Sequence, residues 1–137
     1  MTHQSVGELR AADHAAIRQA ALDYMQSWYE GDVERMRRCL HPELAKRAIL
    51  RDPQTGAERL QHLTQSFMLA RTQQGGGNDA PVEKRRYEVT ILDVYGDIAC
   101  ARADSYEYVD YLQLARWEGQ WLIVNALYAD RRPLDSS

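Results

Sequence analysis

The sequence predicts an α+β fold in which three helices cover one face of a curved, largely antiparallel sheet. Helical periodicity dominates the first half of the chain, where apolar residues recur every three or four positions. Alternation of apolar and polar residues dominates from residue 87 onward, which is typical of strands with one buried face. Glu118-Gly119 separates two such runs and predicts a hairpin, because glycine readily adopts the positive φ of a tight turn. Helices followed by hairpin-connected strands indicate one layer of helices packed on one sheet.

Length and charge limit the classes of protein to which the chain can belong. With 137 residues it fits a single domain, with a core at about residues 13–128 and flexible tails at 1–12 and 131–137. Its 20 acidic and 17 basic side chains give a net charge of −3, which predicts no binding to nucleic acid or to an anionic membrane. No apolar run reaches the ~20 residues of a membrane span, and no signal pattern is present, so we expect a cytoplasmic protein.

The sequence contains no motif for a metal or a cofactor. Cys39 and Cys100 lie on different predicted elements without metal-ligand spacing, so we interpret both as reduced, partly buried thiols. The glycine triplet at residues 75–77 leaves a helix and enters a strand, which is the reverse of a phosphate-binding loop. We therefore interpret it as a mobile connector and predict neither a metal nor a cofactor.

Two N-terminal helices are predicted from apolar spacing and from the residues at their ends. Asp13 suits an N-cap, and the first helix is expected from about residue 14 to residue 30. Gly31 suits the position just after it, and Asp32 can cap a second helix at once. Pro42 should close that second helix, because the residue before a proline is pushed out of the α region.

A third helix is predicted after a short strand and a turn. Residues 44–51 have a weak strand pattern, and residues 52–56 contain the proline and glycine typical of a turn. Leu60 and Phe67 belong to an apolar stripe at helical spacing, which predicts a helix over about residues 57–74.

Strands joined by hairpins account for the rest of the predicted core. Residues 87–91 alternate, Gly96-Asp97 predicts a hairpin, and the next strand is expected over residues 98–107. One of its faces carries only small residues, namely Ala99, Ala101 and Ala103. Such a face leaves room for a closely packed helix or for a ligand, while Tyr106 and Tyr108 would lie on the opposite face of a regular strand.

The chain resembles the nuclear-transport-factor-2-like superfamily over about residues 13–128. Four segments carry the resemblance, namely Trp28-Tyr29-Glu30-Gly31-Asp32, Cys39-Leu40-His41-Pro42-Glu43, Gly96-Asp97-Ile98-Ala99 and Glu118-Gly119-Gln120-Trp121-Leu122-Ile123-Val124-Asn125. Within the superfamily the chain is similar to the branch of small bacterial proteins labelled putative lumazine-binding. The resemblance implies a cone-shaped sheet wrapped around the long first helix, a pocket at the open end of the cone, and commonly a homodimer. Relatives in the superfamily include ketosteroid isomerase, polyketide cyclases and dehydratases.

The resemblance to ketosteroid isomerase can be carried over residue by residue. Tyr24 falls at the position of its oxyanion-hole tyrosine, which stabilises a developing enolate. Ala48 falls where its general-base aspartate stands and cannot abstract a proton, so the resemblance does not extend to this activity. Asp110 corresponds to its second oxyanion-hole group, although the hairpin that follows is one residue longer here. The resemblance therefore implies Tyr24 and Asp110 as catalytic candidates.

Four residues are expected to converge on one pocket. Tyr24 and Trp28 are four positions apart and lie on one side of the first helix. Asp110 and Asn125 lie on adjoining strands of the last hairpin, and we expect both on the face that meets this helix. An aromatic wall, a hydroxyl, a carboxylate and an amide would suit a flat heteroaromatic ring.

Each candidate also has a purely structural interpretation. Tyr24 is either a donor to a ligand or a core tyrosine whose hydroxyl binds a neighbour, and Trp28 and Trp121 are either ligand platforms or core aromatics. Asp110 shares a face with apolar residues, where a carboxylate must be paired or have a raised pKa; alternatively it lies in water at the strand end. His62 is expected at the pocket rim or in solvent.

Three classes of function remain open. A small-molecule binding protein agrees best with a pocket that lacks a complete catalytic set. An enzyme of the isomerase, dehydratase or cyclase kind would use Tyr24 and Asp110. A dimeric structural or partner-binding protein is favoured if the outer sheet face carries an exposed aromatic patch, made of Tyr106, Tyr108, Tyr111 and Trp117. Because helices cover only one side of the sheet, we also expect that Tyr111 and Trp117 are covered by a second copy in a homodimer.

Overall fold

The computed structural model describes residues 6–131, which form three α-helices and one six-stranded sheet. The helices are α1 (Val6–Glu30), α2 (Val33–Cys39) and α3 (Gln65–Gln73). The strands are β1 (Leu40–Arg51), β2 (Glu58–Leu63), β3 (Glu88–Tyr95), β4 (Ile98–Asp104), β5 (Tyr108–Trp117) and β6 (Gln120–Asp130). A short 3₁₀ turn at Val82–Lys84 precedes β3. The predicted α+β class is confirmed.

The sheet has the strand order β2-β1-β6-β5-β4-β3. Neighbouring strands are antiparallel except for β1 and β6, which run parallel, so the sheet is mixed. Helix α1 packs on the inner face of the sheet against β3, β4 and β6, and α3 packs against β1. The last hairpin turns at Glu118 and Gly119, which both have positive φ, as the sequence predicted.

One apolar core lies between α1 and the inner face of the sheet. Ile17, Ala21 and Tyr24 form part of the buried stripe of α1. The opposing sheet face contributes the three alanines of β4 together with larger residues of the next strands, among them Leu112, Leu114 and Ile123. Because alanine side chains are short, β4 lets α1 approach the sheet closely.

Helix α1 ends and helix α2 begins where the capping residues predicted, but α1 begins earlier. Gly31 has a φ of +72° after the last residue of α1, and the Asp32 carboxylate accepts a hydrogen bond from the Arg35 backbone N–H at 3.1 Å. Helix α1 starts at Val6 instead of residue 14, and residues 1–5 of the expected frayed start lie outside the described part of the chain. So does most of the expected C-terminal tail, since residues 132–137 are not described.

The prediction that Pro42 ends a helix is wrong, because α2 already ends at Cys39 and Pro42 lies inside β1. The pairing of β1 with β6 shifts in register between Leu40 and Ala45. A proline has no N–H for a sheet ladder and is tolerated at such an irregularity. This early start makes β1 a strand of twelve residues, whereas the pattern predicted only residues 44–51.

The prediction of a helix over residues 57–74 is wrong in its first half. Residues 58–63 form the edge strand β2, which pairs with β1 from Lys46↔Leu63 to Arg51↔Glu58. Helix α3 begins only at Gln65, where the Thr64 side chain caps it by accepting from the Phe67 N–H at 3.2 Å. Most side chains of this edge strand are exposed, so its sequence lacks the alternation of apolar and polar residues that predicts a strand. The helical spacing of the adjoining apolar residues was therefore extended into it.

The strand that was expected over residues 98–107 ends at Asp104. The Ser105 backbone N–H donates to the Tyr108 carbonyl oxygen at 3.0 Å, so the chain turns at this point. Tyr108 therefore begins β5 and lines a pocket on the inner face of the sheet, which is described below. Tyr106 packs against the core. The expected outer aromatic patch of Tyr106, Tyr108, Tyr111 and Trp117 is thus reduced to Tyr111 and Trp117, which are 50% and 52% exposed.

No helix in residues 6–131 is both long and apolar enough to cross a membrane.

Candidate functional site

A pocket of about 210 Å³ lies between α1, α3 and the inner face of the sheet. Aromatic side chains from four elements line it, namely Trp28, Phe67, Tyr108 and Tyr128. Polar groups reach the same space from β1, β2 and β5, through Lys46, Gln61 and Asp110. The pocket thus combines flat apolar walls with a few polar groups, which is the usual composition of a small-molecule site.

Three polar side chains from three different elements form a buried network in this pocket. The Tyr24 hydroxyl on α1 donates to Asp110 Oδ2 on β5 at 2.9 Å. Lys46 Nζ on β1 donates to the hydroxyl oxygen of Tyr24 and lies 3.8 Å from Asp110 Oδ2. The three residues are only 5%, 7% and 4% exposed for Tyr24, Lys46 and Asp110. The phenol therefore stands between a buried amine and a buried carboxyl group.

Burial shifts the pKa of each member of this network in the direction that favours the uncharged group. Loss of solvent lowers the pKa of Lys46, against the opposing effect of the Asp110 charge. The same burial raises the pKa of Asp110, although Lys46 and the Tyr24 hydrogen bond act in the opposite direction. Burial, followed by the Asp110 charge, raises the pKa of Tyr24 well above its usual value. The Tyr24 phenol therefore stays protonated, and the Lys46 amine and the Asp110 carboxyl group can share a proton through its hydroxyl.

Tyr128 connects this network to the aromatic wall. Lys46 Nζ lies 4.5 Å from the centre of the Tyr128 ring, within the range of a cation–π contact when the amine is protonated. The Tyr128 hydroxyl donates to Gln61 Oε1 at 2.6 Å, and Tyr108 packs edge-on against its ring with centroids 5.6 Å apart. Strands β2, β5 and β6 thus hold one side of the pocket in a single arrangement.

The glycine triplet holds Trp28 at the pocket, so the interpretation as a mobile connector is replaced by a packing role. A Cβ atom on Gly76 would lie 2.5 Å from the Trp28 ring, and one on Gly77 would lie 2.4 Å from the Trp28 carbonyl oxygen. Gly77 is buried, and the Gly76 N–H donates to the Arg71 carbonyl oxygen at 2.9 Å. Only residues without a side chain allow the backbone to pass so close to the indole.

Tyr24, Trp28 and Asp110 line the same pocket, whereas Asn125 does not. The Asn125 amide donates to Gln113 Oε1 at 3.0 Å on the outer face of the sheet. The expectation that Asn125 points inward is wrong because β5 and β6 shift in register between Gln113 and Leu114. One extra residue at this bulge in β6 reverses the side-chain alternation, so Ile123 and Ala126 are buried instead.

Trp121 and His62 also lie outside the lining of this pocket. The Trp121 indole N–H donates to Asp13 Oδ1 at 3.0 Å, which attaches β6 to α1 at another part of the core. His62 is exposed on β2, while its neighbours Gln61 and Leu63 line the pocket, as strand alternation requires. Asp13 lies within α1 and binds Trp121 and Arg116 instead of capping the helix.

Lys46 is the residue of the network that the sequence analysis missed. Strand alternation places it on the same face as Leu44 and Ala48, both of which are buried. A lysine between two inward-facing apolar residues needs a buried partner, and this was the available signal. Because residues 44–51 have only a weak strand pattern, the sequence analysis did not divide them into a buried face and an exposed face.

Within residues 6–131, no three His, Cys, Asp or Glu side chains are grouped as metal ligands would be. The polar groups of the pocket are an amine, a guanidinium group from Arg71, a carboxyl group, hydroxyls and an amide. These groups suit hydrogen bonding and proton transfer to an organic ligand.

Solved structures with the same architecture share little sequence with the chain. An NTF-2 like protein of unknown function from Silicibacter pomeroyi DSS-3 has a TM-score of 0.73 at 20% identity, covering 89% of this chain and 98% of that chain. An NTF2-like protein of unknown function from Shewanella baltica OS155 has a TM-score of 0.68 at 16% identity, covering 96% and 100%. A domain of unknown function with a cystatin-like fold from Nostoc punctiforme PCC 73102 has a TM-score of 0.62 at 17% identity, covering 90% and 80%. At these identities the likeness shows the fold alone.

No curated protein shows significant similarity to the chain. A family model does: the family described as "Putative lumazine-binding" matches residues 12–129, nearly the whole described part of the chain. The chain therefore belongs to this family.

Proposed function

We propose that the protein binds a small organic molecule in the pocket at the open end of the cone. The observation that carries this proposal is the Tyr24–Lys46–Asp110 network, which faces an open space of about 210 Å³ instead of being packed over by apolar side chains. Burying a lysine and an aspartate costs stability, because both charged groups lose their contact with water. Their presence in the interior therefore favours a functional role for them. A ligand that binds these groups would provide that role.

The lining favours a flat ring of one or two fused cycles with both donors and acceptors. The volume lies below the roughly 300–1,000 Å³ that is typical of drug-sized ligands, so the ligand should be small. Trp28 and Tyr128 offer ring faces for stacking, while the Lys46 amine and the Gln61 amide offer complementary polar groups. Lumazine, which the family description names, belongs to this chemical class.

Native mass spectrometry of the freshly purified protein, followed by calorimetric titration with lumazine, tests the proposal. We expect a retained small molecule or measurable binding of lumazine. Trp28→Leu should weaken binding by about three- to tenfold, because an aromatic pair contributes about 0.5–1.5 kcal/mol. Trp117→Leu, which changes an exposed tryptophan outside the pocket lining, is the matched control and should bind normally. Absence of any retained molecule together with absence of lumazine binding would overturn the proposal.

An enzyme of the isomerase, dehydratase or cyclase kind is the second candidate function. The observation that favours it is the 2.9 Å hydrogen bond between Tyr24 and a carboxyl group whose pKa burial raises, because such a pair can donate to a developing oxyanion. Ketosteroid isomerisation is not the proposed reaction, since the position of its base is the buried Ala48. Turnover by the wild-type protein that is lost in Tyr24→Phe would support this candidate.

We propose that two copies of the chain associate through the outer face of the sheet. Tyr111 on β5 pairs with Leu127 on β6, and the two side chains are 50% and 53% exposed on this face. Ile49 on β1 and Leu92 on β3 extend the same face toward the two sides of the sheet and are also more than half exposed. A sheet face with this many exposed apolar side chains is suited to a self-complementary twofold contact.

A further inference from the structure

The chain contains two lysines, and they differ sharply in environment. Lys84 is exposed in the 3₁₀ turn, whereas Lys46 is 7% exposed and faces the pocket. We propose that Lys46 is a carbonyl-reactive lysine that forms a Schiff base with a small aldehyde or ketone entering this pocket. The proposal rests on the proposed function in one respect, namely that the pocket admits small molecules.

Lys46 and Asp110 form a buried pair whose charged groups are not joined by a direct hydrogen bond. Lys46 Nζ lies 3.8 Å from Asp110 Oδ2, longer than the roughly 2.7–2.9 Å of a charge-assisted hydrogen bond. Its hydrogen-bond partner is the Tyr24 hydroxyl, which in turn donates to Asp110. The amine is thus held in place by a phenol and is not locked onto the carboxylate.

The surroundings of Lys46 favour the neutral amine that a nucleophile requires. Tyr24 from α1, Asp110 from β5 and Tyr128 from β6 lie against the amine, and Gln61 and Arg71 reach the same pocket from β2 and α3. Burial lowers the pKa of the amine, and the Asp110 charge 3.8 Å away opposes this only in part. In Schiff-base enzymes a buried lysine with a lowered pKa supplies the neutral amine that attacks the carbonyl carbon.

The network provides the proton transfers that imine formation needs. The ammonium proton of Lys46 can pass through the Tyr24 hydroxyl to Asp110, which leaves a neutral amine and a protonated carboxyl group. The amine nitrogen then bonds to the carbonyl carbon as the C=O π bond breaks. The nitrogen loses one proton and the oxygen gains one, which gives a carbinolamine.

Loss of water completes the reaction. The proton held by Asp110 returns through Tyr24 to the carbinolamine oxygen, which leaves as water while the nitrogen lone pair forms the C=N bond. The product is a protonated imine opposite an ionised Asp110, so the site begins and ends with one cation and one anion. No oxidant or reductant is consumed, and the only co-product is water.

Reductive trapping of the whole wild-type protein tests the proposal, with propanal as the carbonyl probe and cyanoborohydride as the reductant. An imine at Lys46 would be reduced to a stable propyl amine, which intact-mass and peptide-mapping mass spectrometry can locate. Lys84 serves as an internal reference in the same molecule. We expect Lys46 to be labelled faster than Lys84 at pH 7, because burial lowers the pKa of its amine and so raises the neutral fraction that attacks a carbonyl.

Three variants accompany the trapping experiment. Lys84→Arg should leave the labelling of Lys46 unchanged, whereas Lys46→Met should remove the fast phase. Asp110→Asn should move the pH midpoint of labelling to a lower pH, because the Asp110 charge raises the pKa of the amine and its loss lowers that pKa further. A lysine that is merely accessible, with no coupling to Asp110, would show no such movement.

The outcomes separate this inference from the proposed function. If Lys46 is labelled no faster than Lys84 while lumazine still binds, the carbonyl inference is overturned and the binding function stands. Fast labelling of Lys46 without lumazine binding would support the inference and exclude the ring ligand. If Lys46 is not labelled, lumazine does not bind and the purified protein retains no small molecule, both proposals are overturned.

Discussion

Lys46 Nζ lies 3.8 Å from Asp110 Oδ2 in the interior of the cone, with the hydroxyl of Tyr24 between the two groups. The amine comes from β1 and the carboxyl group from β5, and β6 separates these strands in the sheet. Both side chains are more than nine-tenths buried. Each group therefore depends on the other for a compensating charge or a shared proton.

Replacing one member of this pair should destabilise the fold far more than replacing both. Lys46→Met or Asp110→Leu alone should cost about 3–5 kcal/mol, because a buried ionisable group is left without its partner. The double variant should recover most of that loss, since apolar side chains suit the interior. Urea unfolding of the four proteins in this cycle measures the coupling, and additive losses would show that the two groups do not interact.

Acid should weaken the fold partly through Asp104 at the end of β4. Arg102, together with Arg131 at 2.6 Å, hydrogen-bonds this carboxylate and holds its pKa below the usual range. Because the folded-state pKa is the lower one, the contribution to stability is present above the unfolded-state pKa and is lost as pH falls through the folded-state pKa.

Asp104→Asn should therefore cost about 1 kcal/mol at pH 7, since these arginines remain partly exposed, and less at pH 2, where more of the carboxylate is protonated. Thermal unfolding from pH 2 to pH 7 measures this difference. A variant that loses as much stability at pH 2 as at pH 7 would show that Asp104 acts through its shape and not through its charge.

Gly77→Ala should destabilise the protein by about 1–3 kcal/mol, the usual cost of overpacking. The new Cβ would lie 2.4 Å from the carbonyl oxygen of Trp28, and a backbone atom cannot move aside as a flexible side chain can. The tryptophan emission spectrum should change as well, because Trp28 has to shift.

Gly56→Ala is the matched control, because its Cβ meets no atom within 4 Å and the only strain is the positive φ of +74°. It should leave the tryptophan emission unchanged. Equal spectra and equal stabilities for the two variants would contradict the close packing of the glycine segment on Trp28.

Tyr111→Glu should weaken the proposed dimer while leaving the monomer folded. The side chain is 50% exposed at the centre of the outer face, so a carboxylate there costs the monomer little but is buried without a partner in a dimer. Sedimentation velocity should show a shift from two copies to one, with an unchanged helical circular-dichroism signal. A wild-type protein that is monomeric at micromolar concentration would remove the basis for this prediction.

Local sequence determined the elements whose signals lie within a few residues. Gly31 and Asp32 determined where α1 ends and α2 begins, since a positive φ and an N-cap are properties of single residues. Glu118-Gly119 likewise determined the last hairpin, and strand alternation correctly placed Asp110 on the buried face of β5.

The tertiary structure alone decided which side chains meet. The bulge in β6 turned Asn125 outward, and no local signal marks a bulge that arises from pairing with a distant strand. Lys46 joined Tyr24 and Asp110 only because β1 pairs in parallel with β6, which brings residues 64 positions apart in the chain into one site. The face that a side chain occupies and the register of its strand depend on pairing with distant strands. The sequence therefore determined which side chains needed a buried partner, and the fold determined which side chains became those partners.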